Sequence, residues 1–167
     1  VSCLAEQVKI LMDEAEENNL DGEPHWNRWH TCSLCEQEYH GVVACALGWA
    51  CWKTYLGRPE EDWTRRDAMQ QLGNGLSEAG HDEDALSVRE AELSMRRRLG
   101  DSEYSILTAQ NNLAATYNNL GQTDKSLRMN REIYSGRLRL NGEESEKTLA
   151  DVEQLFNIPF IGLQTAS

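Results

Sequence analysis

The feature that most constrains this chain is an internal repeat. Residues 72–99 and 113–140 align without a gap at an offset of 41. Leu72 meets Leu113, Leu76 meets Tyr117, Leu86 meets Leu127, Val88 meets Met129 and Leu99 meets Leu140. Gly80 meets Gly121 in mid-unit, and Gly100 and Gly142 follow the two units. Apolar residues at helical spacing on either side of a mid-unit glycine predict a helix–turn–helix, and such units bury their apolar faces by stacking. The expected fold is therefore all-α, an α-solenoid of antiparallel helix pairs. Gly80 and Gly121 fit the position after a first helix, where a left-handed backbone is needed. Asp82 and Thr123 fit the start of the second helix. Ala85 and Ser126 are small enough to let paired helices approach.

The pattern extends to both sides. His40 to Leu56 reads as a helix ending in Leu-Gly, like the second helix of a degenerate earlier unit. Glu144 to about Phe156 reads as a further first helix, stopped by the Asn157–Gly162 stretch. The expected organisation is an acidic helix over 1–22, a Trp/Cys/His-rich segment with a capping helix over 23–58, repeats over 59–156, and an irregular tail over 157–167. The repeats divide into about 60–100, 101–142 and a half unit 143–156, so a piece of a longer array is expected. Within the first helix, Leu4, Val8, Leu11 and Ala15 form one apolar stripe. Proline is absent between Pro59 and Pro159, which leaves the repeats free to form long helices.

The run from Ala109 to Tyr117 (AQNNLAATY), with Leu120-Gly121, Ser126-Leu127 and Leu140-Asn-Gly142, resembles tetratricopeptide repeats of the kinesin light chain type. Leu72-Gly73, Ala85-Leu86 and Leu99-Gly100-Asp101 carry the same resemblance in the preceding unit. That type has units of about 42 residues. The stretch CSLCEQEYHG…ALGWACWKTY before the repeats is also similar to uncharacterised repeat proteins of unicellular algae, which brings no activity with it. The first resemblance implies a concave face, lined by first helices, that binds an extended peptide of a protein partner. Asn side chains there would clamp the peptide backbone, since an amide both donates and accepts. The matching positions are Asn74 in one unit and Asn111, Asn112 and Asn118 in the next, with Gln70 and Gln71 one turn earlier. The basic run Arg96-Arg97-Arg98 falls on a second helix with Glu90 and Glu92 interleaved. It reads as a solvated face with i,i+4 pairs.

A second constellation lies ahead of the repeats. Cys32, Cys35, His40 and Cys45 give C-x2-C-x4-H-x4-C, the spacing of a zinc knuckle, and His30 adds a fifth candidate ligand. On a helix, however, His40 and Cys45 point about 140° apart. Zinc is the candidate cofactor here, held by Cys32, Cys35 and His40 with His30 or Cys45. The alternative is that Cys45 and Cys51 are core thiols and Cys32/Cys35 a reduced pair on a turn. Trp26, Trp29, Trp49, Trp52 and Trp63 are expected in the core.

Charge narrows the function classes. The chain has 28 acids against 16 bases, a net of -12, which excludes a general nucleic-acid binder. Seven of the acids and one base fall in residues 1–24. No apolar run approaches the roughly 20 residues of a membrane span, so no membrane insertion is expected. Five cysteines, an odd number, in a charged chain suggest reduced thiols and a cytoplasmic location. No nucleophile–base pair with an oxyanion donor, P-loop or dinucleotide fingerprint is present, and no enzymatic activity is expected. The expectation is a protein-interaction scaffold, with a zinc-stabilised adaptor or a structural subunit of a larger assembly as alternatives.

Overall fold

The computed structural model describes residues 1–141, and all of its regular elements are helices. The half unit at 143–156 and the tail at 157–167 lie outside the described residues. The elements are α1 (Ser2–Glu17), α2 (Glu23–Trp26) running into a short 3-10 turn (Asn27–Trp29), α3 (Gly41–Tyr55), α4 (Trp63–Glu78), α5 (Asp82–Leu99), α6 (Glu103–Asn119) and α7 (Thr123–Asn141). Residues Val1–Gly100 form one compact unit and a second begins at Asp101. That division falls where the sequence repeat changes units.

The helix ends follow from local chemistry. Asp62 caps α4 by accepting the Thr64 N–H at 2.9 Å, and Ser102 caps α6 by accepting the Ser105 N–H at 3.2 Å. Gly80 (φ 73°) and Gly121 (φ 70°) adopt the expected left-handed backbone. Beyond each, a 6→1 bond closes the turn: His81 N–H to Leu76 C=O at 2.9 Å, and Gln122 N–H to Tyr117 C=O at 2.8 Å. Asn19 (φ 50°) ends α1 in the same way, with Leu20 N–H donating to Ala15 C=O at 2.8 Å. In α5, three acids open the first turn and three arginines occupy the last, which complements the helix dipole at both ends.

In the first unit, α1 and the 3-10 turn pack on α3, α2 packs on α1, α3 packs on α4, and α4 on α5. The α3–α4 crossing is close because two glycines meet backbone. A Cβ on Gly48 would stand 2.8 Å from the Gln71 carbonyl oxygen, and one on Gly75 would stand 2.5 Å from that of Ala44. Val8, Met12, Trp26, Trp29, Cys51, Tyr55 and Ala68 form one apolar cluster; Leu72, Leu76 and Ala85 form another. Burial of each large side chain there contributes about 1.5–3 kcal/mol. The α1 stripe is rotated slightly from its expected position, with Met12 buried and Leu4 and Leu11 only half-buried. Trp26 and Trp29 are core, as expected, and Trp52 packs against them half-buried, whereas Trp49 and Trp63 are 44% and 42% exposed. Trp63 still stacks on Trp26, with ring centroids 5.1 Å apart.

In the second unit, α6 packs on α7 around Leu107, Ala114 and Ile133, with Met129 beside them. Both repeats are thus helix–turn–helix pairs. Among the described residues no helix is long and apolar enough to cross a membrane.

Candidate functional site

Between the 3-10 turn and α3 the chain does not form a helix. It forms a tight hairpin over residues 31–38, unforeseen in the sequence except for the turn at Cys32–Cys35. Thr31 and Glu38 pair as an antiparallel bridge, and Tyr39 N–H donates to His30 C=O at 2.8 Å. The tip is one helical turn: Glu36 N–H bonds Cys32 C=O at 3.0 Å, and Cys32 N–H bonds Gln37 C=O at 2.9 Å. Glu36 (φ 57°) closes it in the left-handed region, the place a glycine usually takes.

This hairpin forms one wall of a groove of about 490 Å³, opposite the polar face of α4. His30, Glu38 and Tyr39 come from the hairpin side; Asp67, Gln70, Gln71, Asn74 and Glu78 come from α4, and Arg89 from α5. Three carboxylates thus face one guanidinium. Burial holds the His30 imidazole below its ordinary pKa, against the pull of Glu38 upward. Burial likewise lowers the Arg89 guanidinium, opposed by Glu92 and Asp82. Burial raises the Tyr39 hydroxyl, with Cys32 adding to the shift.

The amides of α4 divide into structural and available ends. Gln71 donates to the Trp29 carbonyl at 3.3 Å, a buried bond that ties α4 to the 3-10 turn. Gln70 accepts from Arg96 Nη2 at 3.3 Å, and Asn74 Oδ1 accepts from Arg89 Nη2 at 3.2 Å. The arginines therefore occupy the carbonyl oxygens of Gln70 and Asn74, which fixes the orientation of both amides.

Arg96 itself corrects the sequence reading. It is only 5% exposed and sits in a buried network, donating to Glu92 Oε1 at 2.8 Å and to Asp67 Oδ1 at 3.0 Å. Burial alone would lower its pKa, but Glu92 and Asp67 outweigh it and raise it. Glu92 is fully buried, and burial lifts its carboxyl above the ordinary range despite Arg96. The i,i+4 pair was legible; its burial was not, because the groups that complete it come from α4.

The asparagines of the second unit lie on α6. Asn111 and Asn118 are seven residues apart, on one face; Asn111 and Asn112 are half-buried and Asn118 is exposed. By the repeat offset, Asn111, Asn112 and Asn118 stand where α4 has Gln70, Gln71 and Ser77, all of which line the groove.

The metal candidates are spread over several places. Cys32 and Cys35 share the hairpin tip, and His30 lies at its base. His40 stands at the head of α3, with its Nδ1 3.2 Å from Glu78 Oε2, and Cys45 packs against the Leu72/Leu76 cluster. Among the described residues no three His, Cys, Asp or Glu side chains gather as a metal site requires. Cys51 is buried and burial raises its thiol well above the usual value. Cys32 is shifted the other way. Its sulfur takes hydrogen bonds from the Cys35 and Leu34 backbone N–H groups, the Cys35 thiol and the Tyr39 hydroxyl, which hold the thiol below its ordinary value.

No family model, curated protein or solved structure matches this chain.

Proposed function

We propose that this chain is a protein-interaction scaffold of tetratricopeptide-like helical repeats, one that binds an extended peptide segment of a protein partner along the polar face of a first helix. The observation that carries this reading is the α4 face. Gln70 and Asn74 line an open groove, and each has its carbonyl oxygen engaged by an arginine of α5. A pre-oriented amide binds a peptide carbonyl without a further ordering cost. The recurrence of Asn111, Asn112 and Asn118 at the groove-lining positions of the next unit supports the same use of α6. Five cysteines without a disulfide suit a reducing, cytoplasmic setting. On this reading the partner is recognised and not chemically changed.

A displayed library of random peptides, selected on the native chain, tests the reading. Selected peptides should lose at least about tenfold in affinity on Asn74→Ala or on Asn111→Ala, which is about 1.4 kcal/mol. Peptides that bind both variants as well as the native chain would refute the groove, and a structural-subunit role would then replace it.

A further inference from the structure

The hairpin tip carries chemistry that peptide binding does not use. Cys32 and Cys35 are three residues apart in a single helical turn, closed by the Glu36-to-Cys32 and Cys32-to-Gln37 backbone bonds. Residues at i and i+3 of such a turn face the same side, with Cβ atoms about 5–6 Å apart. A disulfide asks for about 3.5–4.5 Å, so the two sulfurs can join after a small closure of a surface turn. Cys35 is exposed and Cys32 half-exposed, so a reagent can reach the pair; Cys51, by contrast, is buried.

We propose that Cys32 and Cys35 form a dithiol–disulfide exchange site that reacts with low-molecular-weight disulfides. The Cys32 thiolate attacks one sulfur of the reagent, whose S–S bond breaks. One thiol leaves, taking up the proton that Cys32 released. Cys35 then loses its proton and its sulfur attacks Cys32 Sγ. The mixed disulfide breaks, and the second thiol leaves with that proton. Two protein thiols are oxidised to one disulfide and the reagent disulfide is reduced to two thiols. The two roles can exchange, since the single turn sets either sulfur against a mixed disulfide formed on the other. The ring closed is very short, so it gains little from restricting the unfolded chain and the bond is readily reversed by excess thiol. This site is independent of the peptide-binding reading, although the same hairpin carries Glu38 and Tyr39 to the groove.

The test treats the reduced full chain with glutathione disulfide, blocks remaining thiols by alkylation and maps peptides by mass. The native chain should lose two hydrogens, yield a Cys32–Cys35 cross-link, retain no glutathione, and revert in excess reduced glutathione. Cys35→Ser should instead hold one glutathione on Cys32, because the resolving thiol is gone. Circular dichroism of that variant should match the native chain, since the side chain is exposed. Stable glutathione on Cys32 or Cys35 of the native chain would overturn the proposal. So would cross-links that run instead to Cys3 or Cys45, or a stoichiometric zinc ion that blocks both thiols.

Discussion

At the place where α5 buries Glu92, α7 buries Ile133; the two positions are 41 residues apart and equivalent by the repeat. Arg96, which neutralises Glu92, and Asp67, which also accepts from Arg96, correspond to Arg137 and Thr108. One helix pair is therefore held by a buried ionic network and the other by an apolar contact among Ile133, Leu107 and Ala114. The helix lengths, the left-handed glycine and the capped first helix are common to both. Helix–turn–helix geometry thus constrains the shape of the buried position more than its chemistry, provided that a charge brought inside finds its partners there.

The strongest way to break this comparison is to remove one partner of the buried network. Arg96→Met leaves Glu92 buried without its main counter-charge and should cost about 3–5 kcal/mol in urea unfolding. The double variant Glu92→Ile with Arg96→Met puts the isoleucine of the second pair at the buried position and removes both charges. It should recover most of that loss. If the double variant were as unstable as the single one, the two cores would not be interchangeable solutions to one geometry.

Gly75 sharpens the comparison from the packing side. Its repeat partner is Thr116, fully buried, so a side chain is accommodated there. In the first pair α3 lies too close, and Gly75→Ala should destabilise by about 1–3 kcal/mol through overpacking. Thr116→Ala should cost less than Gly75→Ala if the α3 crossing is what demands glycine, as thermal melts of the two variants would show.

The smallest expected effect concerns the caps. Burial acts to raise the Asp62 carboxyl, but the Thr64 N–H and hydroxyl, with Arg58, win and hold it below the ordinary carboxylate range. A depressed folded pKa contributes stability above the unfolded value of about 3.9, and that contribution is lost as pH falls through the folded one. Asp62→Ala should therefore cost about 1 kcal/mol at pH 7, and the gap to the native chain should narrow below about pH 4. Ser102→Ala should cost about as much with no such narrowing, because a hydroxyl does not titrate there. Urea titrations of both variants at pH 7 and pH 3 check this.

Much of the candidate site was legible in part. Gln70, Gln71 and Asn74 were named on the groove-lining face of a first helix, and the structure adds a hairpin opposite them. The second wall was invisible, since nothing in the composition of residues 31–38 announces a bridge between Thr31 and Glu38. Four of the five proposed metal ligands share a sequence spacing, but His40 stands at the head of α3 beside Glu78 while Cys45 packs inward. Spacing along the chain fixes neighbours only within one element.

By itself the sequence determined the helix–turn–helix pairs, their glycine-closed turns and the break at residue 100. All of these are local conformational preferences, set by residues within a few positions of one another. Only the tertiary structure decided that Arg96 and Glu92 are inside, that α3 and α4 meet through Gly48 and Gly75, and that a hairpin faces α4 across a groove. Each of those depends on atoms from another element, whose approach decides whether a charge is solvated or buried and whether a side chain fits.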